Sequence, residues 1–93
     1  MKEWFQKHVD EEHCKFDRVK GKKSGRGDLH AFMLLDRLLP GRQDIIGCAE
    51  HDQVWLSVDA DDLAKVCTEY EVIELLRCGV TYDEDTQSLH MFV

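Results

Sequence analysis

Two short pairs of cysteine and histidine residues are the first candidates for chemistry. Cys48 and His51 have the C-x-x-H spacing of half a zinc site, and His13 with Cys14 would be the second pair. A structural zinc site usually takes two local pairs, each with turn residues between its ligands. His13 and Cys14 are adjacent, however, and adjacent side chains on a helix point about 100° apart. Cys48 also fits the interior of a strand. The sequence therefore predicts neither a metal nor a cofactor.

Nucleophilic catalysis is the second candidate. It would require Cys14 or Cys78 to meet a general base and a group that orients the base. His51 and Asp52 are adjacent and would form such a pair, but the sequence gives no reason for a thiol to reach them. No glycine-rich phosphate loop, nucleophile elbow or metal-binding helix is present. We therefore expect a protein that is not an enzyme and has no catalytic residue.

Carboxylates are concentrated in the second half of the chain. Eight of them form a candidate partner-binding surface: Glu50, Asp52, Asp59, Asp61, Asp62, Asp83, Glu84 and Asp85. They lack the fixed spacing of a calcium-binding loop. Solvated turns and helix caps would explain most of them, but not the size of the excess. An acidic surface of this kind attracts basic protein surfaces and repels nucleic acid.

Charge is divided unevenly along the chain. Residues 1–43 carry ten Lys or Arg against seven Asp or Glu, whereas residues 44–93 carry two against twelve, which accounts for the net charge of −7. The basic residues cluster in the segment KGKKSGRG, residues 20–27. A nucleic-acid-binding role would use Lys20, Lys22, Lys23 and Arg26. No aromatic residue is interleaved to stack on bases, so a flexible, solvated loop is the favoured interpretation.

The elements that position these residues begin with an amphipathic helix. The spacing predicts a helix over residues 2–20, ended by Gly21. Its apolar stripe consists of Trp4, Phe5, Val9, Phe16 and Val19. The stripe either folds back onto its own domain or packs on a second copy. We expect the second outcome, a homodimer whose interface contains Trp4, Phe5, Val9 and Phe16.

The residue pattern over positions 28–41 predicts a helix, and we expect the core to form around it. Asp28 is a suitable N-cap, and Pro40 and Gly41 end the segment. Because apolar residues cover more than one face, this helix is expected at the centre of the core.

The residue pattern over positions 45–93 predicts two hairpins with two helices between them. Period-2 alternation over residues 54–58 indicates a half-buried strand, with Trp55 pointing outward. Asp59 caps a short helix over residues 60–66, and Thr68 with Glu71 forms a capping box that opens the next helix. Cys78 and Gly79 end that helix. An acidic turn at residues 83–85 then joins the strands of the second hairpin.

The predicted fold is a single α+β domain, with helices packed on a small antiparallel sheet of two hairpins in the order α-α-β-β-α-α-β-β. It comprises an N-terminal helix at residues 1–20, a basic loop at residues 20–27 and an α+β core at residues 28–93. No run approaches the ~20 apolar residues of a membrane span, and no leader opens the sequence. The four cysteines are expected as buried free thiols in a reducing cytoplasm.

The stretches HAFMLLDRLLPG, AEHDQVWLSVD and LLRCGVTYD, with the terminal MFV, resemble small uncharacterised proteins encoded by phages and prophages. The resemblance covers residues 28–93 and rests on hydrophobic spacing and a few polar residues. It implies a small protein made inside a bacterial host, in the cytoplasm, and carries over no catalytic or binding residue. The sequence as a whole therefore favours an acidic, non-enzymatic interaction protein that binds or inhibits a host protein complex, such as a defence or nucleic-acid-handling complex. The alternative is a small nucleic-acid-binding accessory protein that uses the basic loop.

Overall fold

The fold is α+β, in the predicted order of elements. A computed structural model describes residues 1–41 and 44–92. The elements are α1 (Lys2–Glu12), a 3₁₀ turn (Phe16–Arg18), α2 (Gly27–Leu38), β1 (Ile46–Glu50), β2 (Gln53–Leu56), α3 (Ala60–Val66), α4 (Glu69–Arg77), β3 (Thr81–Asp83) and β4 (Ser88–Phe92). Both predicted hairpins are confirmed. No helix within the described residues is both long and apolar enough to cross a membrane.

The two hairpins join into one antiparallel sheet in the order β1-β2-β4-β3. β2 and β4 form its centre, with Trp55 opposite His90 and Val54 opposite Met91. Because side chains alternate across a strand, Val54, Leu56, Leu89 and Met91 share one face, and all four are buried in the core. The helices cover that face. The opposite face contributes no described side chain to the hydrophobic core.

Helix α4 lies at the centre of the helical layer. Val72, Leu75 and Leu76 are fully buried, and α4 packs against α1, α2 and the 3₁₀ turn. The prediction that the helix after residue 28 is central was wrong. α2 buries Ala31 and Leu35, but its Leu29 and Met33 are more than two-fifths exposed. Its apolar side chains spread around the helix, while only one side of it meets α4.

The ends of α3 and α4 are set by local sequence, as predicted. The Asp59 carboxylate accepts the backbone N–H groups of Asp61 and Asp62, and Thr68 with Glu71 forms the reciprocal capping box. α2 differs from its prediction. It begins at Gly27 with Arg26 at the N-cap position, and Asp28 lies in the first turn, where its side chain accepts the Leu29 N–H.

Helix α1 is shorter than predicted and ends at Glu12 instead of Lys20. His13 is extended and Cys14 has a φ of 60°, so the chain turns and re-enters as a 3₁₀ turn. Tertiary contacts explain the difference. The Cys14 N–H donates to the Leu76 carbonyl at the end of α4, which a continuous helix would not allow.

The apolar stripe of the N-terminal segment packs on its own chain. Phe5 and Val19 belong to the buried core, and Trp4, Val9 and Phe16 pack against that core while partly exposed. Phe5 keeps only 2% of its surface exposed. Burial of Phe5 within one molecule favours the first of the two expected outcomes, in which the stripe folds back onto its own domain, while Trp4, Val9 and Phe16 stay partly exposed. The homodimer through this stripe stays a prediction.

Polar contacts also hold α1 on α4. The Glu12 carboxylate, which is almost fully buried, lies 2.7 Å from Arg77 Nη2 and 2.7 Å from Arg18 Nη1. One turn earlier, His8 Nε2 lies 2.7 Å from a carboxylate oxygen of Glu69. Glu12 therefore links α1, the 3₁₀ turn and α4 through a single carboxylate.

Candidate functional site

The cysteine and histidine pairs considered for a metal do not converge. His13 and Cys14 lie just beyond α1, next to the end of α4, whereas Cys48 and His51 lie in the β1–β2 hairpin. The Cys14 Sγ is 3.5 Å from the His13 Nε2, so these adjacent side chains meet in the turn, contrary to the helical geometry assumed for them. Within the described residues, no group of three or more His, Cys, Asp or Glu side chains is placed to hold a metal ion.

Of the two thiols considered as nucleophiles, Cys78 is buried at the end of α4. Cys14, like Cys48, is exposed, contrary to the burial expected for the cysteines. Burial raises the pKa of the Cys78 thiol to about 12, and the nearby Glu74 carboxylate adds to the effect. Cys67 is similar, since burial also raises its pKa to about 12. The thiolate is the nucleophilic form of cysteine, and both thiols remain protonated near neutral pH. Neither has the lowered pKa that a nucleophilic cysteine needs.

Six of the eight candidate carboxylates lie at one end of the sheet. Asp59 and Asp61 share a surface depression of about 270 Å³ with Tyr82, Gln87 and Ser88. The acidic start of α3 therefore adjoins the turn between β3 and β4. We call this surface the acidic end, and its members are Asp59, Asp61, Asp62, Asp83, Glu84 and Asp85. The side chain of Lys65 lies 4.0 Å from Asp62 at its border.

The other two carboxylates are not part of that surface. Glu50 and Asp52 lie in the β1–β2 hairpin. Gln53 pairs with Phe92 at the far end of β4, whereas Ser88 pairs with Asp83 at the acidic end. The strand register therefore separates the two carboxylates from the other six by the length of β4.

The basic loop packs beside α2 and α4. Lys22 Nζ lies 4.8 Å from the centre of the Phe16 ring, in a cation–π contact. The Lys23 N–H donates to His30 Nδ1, which leaves His30 Nε2 to donate to Glu74. Lys20 and Lys23 line a cavity of about 240 Å³ with His30, Arg37 and Glu74. Arg26 is exposed beside them at the start of α2.

We call the side of the sheet that faces away from the helices the outer face. Its side chains are Cys48, Glu50, Gln53, Trp55, Ser57, Thr81, Asp83, Ser88, His90 and Phe92, as the strand register requires. At its middle, the ring centroids of Trp55 and His90 are 5.1 Å apart. The rings of His90 and Phe92 are 5.0 Å apart and nearly perpendicular. These three rings form a continuous aromatic row across the two central strands.

Hydrogen bonds fix the orientation of two of these rings. The Trp55 indole N–H donates to a carboxylate oxygen of Asp83 at 2.8 Å, and His90 Nε2 lies 2.8 Å from the Gln53 amide oxygen. The bond from Trp55 holds the pKa of Asp83 below its ordinary value of 3.8, aided by backbone N–H groups of the following turn. Asp83 is therefore ionised at neutral pH. It belongs to both the outer face and the acidic end and connects the two surfaces.

The outer face is acidic as well as aromatic. Its charged side chains are Glu50 at one side of the aromatic row and Asp83 at the other, and no Lys or Arg is among its described residues. Phe92 is 60% exposed. An exposed aromatic ring between carboxylates is typical of surfaces that bind organic cations or cationic side chains.

The outward orientation of Trp55 is confirmed, whereas the contributions of His90 and Phe92 to this face were not predicted. The pattern that would have found them is the alternation in SLHMF, where Leu89 and Met91 are buried and the residues between them face outward. The pairing of Trp55 with His90 could not be predicted from the sequence, since it depends on β2 lying next to β4.

Comparison with known proteins identifies no relative of this fold and surface. No protein-family model, curated protein or solved structure matches the chain.

Proposed function

We propose that this chain is a non-enzymatic interaction protein that binds a basic surface of a partner protein through its acidic end and the adjoining outer face. The observation that carries the proposal is that the two carboxylate-rich segments, the start of α3 and the turn between β3 and β4, lie at the same end of the sheet, whose outer face holds no described Lys or Arg. Because these charges share one side of the molecule, their potentials add and attract a basic partner over several ångströms.

The partner we propose is a protein or protein complex of a bacterial host, bound in the cytoplasm. Support for this context is the resemblance to phage- and prophage-encoded proteins. A basic surface that ordinarily contacts nucleic acid fits the acidic end, because carboxylates arranged along a surface present the charge that phosphates present. A defence or nucleic-acid-handling complex has such surfaces, and occupation of one by this chain would inhibit it.

The absence of catalysis in this proposal is supported by the properties of the thiols. Cys67 and Cys78 are buried with raised pKa values, and the Cys14 thiol lies beside the imidazole of the adjacent His13 in a turn. A nucleophile needs a base and a group that orients the base, and no such third group among the described residues bonds to this pair.

Co-purification from host lysate tests the proposal if the charge of the acidic end is varied. The variant Asp61→Asn, Glu84→Gln, Asp85→Asn removes three exposed charges and leaves the helix-capping Asp59 intact. A matched control removes three exposed charges elsewhere, as Asp10→Asn, Glu11→Gln, Asp36→Asn. We expect the wild type and the control to retain a specific protein that the acidic-end variant loses.

Titration of the purified partner then separates a specific interface from general attraction. The affinity should fall with rising salt and should fall further for the acidic-end variant than for the control. Equal retention of the partner by both variants would contradict the proposal. Repeated experiments in which no specific protein co-purifies with the wild type would contradict it as well.

The alternative function, nucleic-acid binding by the basic loop, is supported by the position of Lys20 and Lys23 at a cavity that also contains Arg37. A gel shift at low salt tests it, because phosphate contacts are strongest there. Binding that disappears when Lys20, Lys22, Lys23 and Arg26 are changed to alanine would support this alternative. No binding at low salt would remove it.

A further inference from the structure

We propose that the outer face recognises arginine side chains of the partner, with a guanidinium group placed over the aromatic row and bonded to the flanking carboxylates. The row consists of Trp55, His90 and Phe92, and the carboxylates are Asp83 and Glu50. This inference rests on the proposed function and names the chemistry of its partner. The acidic end supplies attraction, whereas the outer face supplies selectivity for one kind of cation.

The aromatic row is available to a ligand. Phe92 is 60% exposed and Trp55 is partly exposed, while His90 is buried between them with only 8% of its surface exposed. No helix covers this side, because the helical layer packs on the face of Val54 and Leu89. Exposed aromatic surface of this extent is unfavourable in water and is a common feature of interaction surfaces.

The row is also held in place before any ligand arrives. The Trp55 indole is bonded to Asp83 and the His90 ring to Gln53, both at 2.8 Å. Strand pairing fixes the backbone beneath them, with Trp55 opposite His90 and Gln53 opposite Phe92. A ligand that binds here orders few side chains, so little of the binding free energy is lost to ordering.

The negative charge of the outer face favours a cationic ligand over a nucleic acid. Aromatic rings on a sheet also stack on bases, but single-stranded nucleic acid needs basic side chains to contact its phosphates. The outer face has Glu50 and Asp83 instead, and the acidic end continues from Asp83. The phosphates of a bound strand would therefore be repelled by both the outer face and the acidic end.

Arginine satisfies both features of the face, whereas lysine satisfies one. Its planar guanidinium stacks on aromatic rings and forms paired hydrogen bonds with a carboxylate, and it is less strongly hydrated than an ammonium group. The Asp83 carboxylate already accepts from the Trp55 indole N–H and the Asp85 N–H, and Thr86 also bonds to it. A guanidinium would share this carboxylate with its internal donors, whereas Glu50 on the same face is exposed.

Calorimetric titration with synthetic peptides tests the inference. The probes are a short peptide in which arginine alternates with threonine, the same peptide with every arginine replaced by lysine, and a single-stranded oligonucleotide. The variant Phe92→Ala removes the most exposed ring, and Tyr70→Ala is its matched control because Tyr70 is a half-exposed aromatic residue on α4. Circular dichroism checks that both variants remain folded.

We expect the arginine peptide to bind severalfold more tightly than the lysine peptide. Phe92→Ala should lower the affinity for the arginine peptide by about three- to fivefold, which corresponds to the loss of an exposed cation–π contact. The same change should leave the lysine peptide nearly unaffected. Tyr70→Ala should alter neither affinity.

Three results would overturn the inference, and they differ in what they imply for the proposed function. Equal affinities for both peptides, unchanged by Phe92→Ala but reduced by neutralising the acidic end, would show attraction by charge alone and leave the proposed function standing. Tighter binding of the oligonucleotide, lost in Phe92→Ala, would assign the face to nucleic acid. No binding of either peptide at low salt would contradict the inference and the proposed function together.

Discussion

At the scale of single residues, Glu12 connects α1 to two other elements through its carboxylate. Its carboxylate is almost fully buried, and Arg77 and Arg18 both bind it from other elements. Burial by itself would raise the pKa of Glu12. The hydrogen bonds and charges of Arg77 and Arg18 outweigh burial and hold the pKa below its ordinary value of 4.5.

Replacement of Glu12 by alanine should destabilise the protein by about 3 kcal/mol, because it leaves the largely buried Arg77 guanidinium without its carboxylate. Alanine is a good helix former, so the loss would report on the ion pairs and not on the helix. Chemical denaturation measures the change. Glu11→Ala removes an exposed carboxylate from the same turn and should have little effect. Equal losses for both variants would show that the network contributes nothing specific.

The same network predicts how stability depends on pH. Because the pKa of Glu12 is lower in the folded state, the unfolded chain binds more protons as the pH falls below 4.5. The contribution of Glu12 is therefore fully present above pH 4.5 and is lost as the pH falls through the folded-state value. The free energy of unfolding of Glu12→Ala should decline less steeply in this range than that of the wild type. Parallel curves for the two proteins would contradict the assignment.

At the scale of elements, α4 is fixed at both ends by local sequence. Thr68 and Glu71 close its first turn. At its other end the Val80 N–H donates to the Leu75 carbonyl and the Gly79 N–H to the Leu76 carbonyl, which is the Schellman arrangement. This arrangement needs a residue with positive φ, and Gly79 has a φ of 98°. The helix therefore ends where β3 must begin.

Gly79→Ala should destabilise the protein by about 1–2 kcal/mol, because a Cβ is unfavourable in the left-handed region. The added methyl group would also lie 3.6 Å from the Cys14 Sγ, which is an ordinary contact, so strain in the backbone dominates. Thermal unfolding measures the effect. Gly25→Ala is the control, since its Cβ would meet nothing within 4 Å. A neutral Gly79→Ala variant would refute the argument from φ.

At the scale of the whole molecule, the N-terminal segment belongs to the core of its own chain. Phe5 packs among the core residues and its ring centroid lies 6.4 Å from that of Tyr82 in β3. The stability of the protein should therefore be a property of one chain. If the stripe instead held two copies together, stability would rise with protein concentration.

Phe5→Ala should lower the free energy of unfolding by roughly 3–5 kcal/mol, the usual cost of emptying a buried phenylalanine site. The loss should be the same over about a hundredfold range of protein concentration. Phe92→Ala, the same substitution at an exposed site, should change stability by less than about 0.5 kcal/mol. Light scattering of the wild type completes the test. A dimer mass that Phe5→Ala converts to a monomer would support the interface first expected for this stripe.

The sequence by itself determined the class of fold, the order of elements and most of their ends. Period-2 alternation identified β2, and the caps at Asp59, Thr68 and Gly79 identified the ends of α3 and α4. These features depend on residues within one turn or one strand of each other. Local hydrogen bonds and side-chain alternation act over that distance, so the sequence contains the information.

Tertiary structure alone decided where α1 ends, which helix is central and which side chains meet on the outer face. α1 ends at Glu12 because the chain then turns, so that the Cys14 N–H donates to the Leu76 carbonyl at the end of α4. The aromatic row exists because β2 pairs with β4, which brings Trp55 opposite His90. Such contacts depend on how separate elements pack. A pattern along the chain shows that a side chain faces outward, but only strand pairing determines which other side chain it meets there.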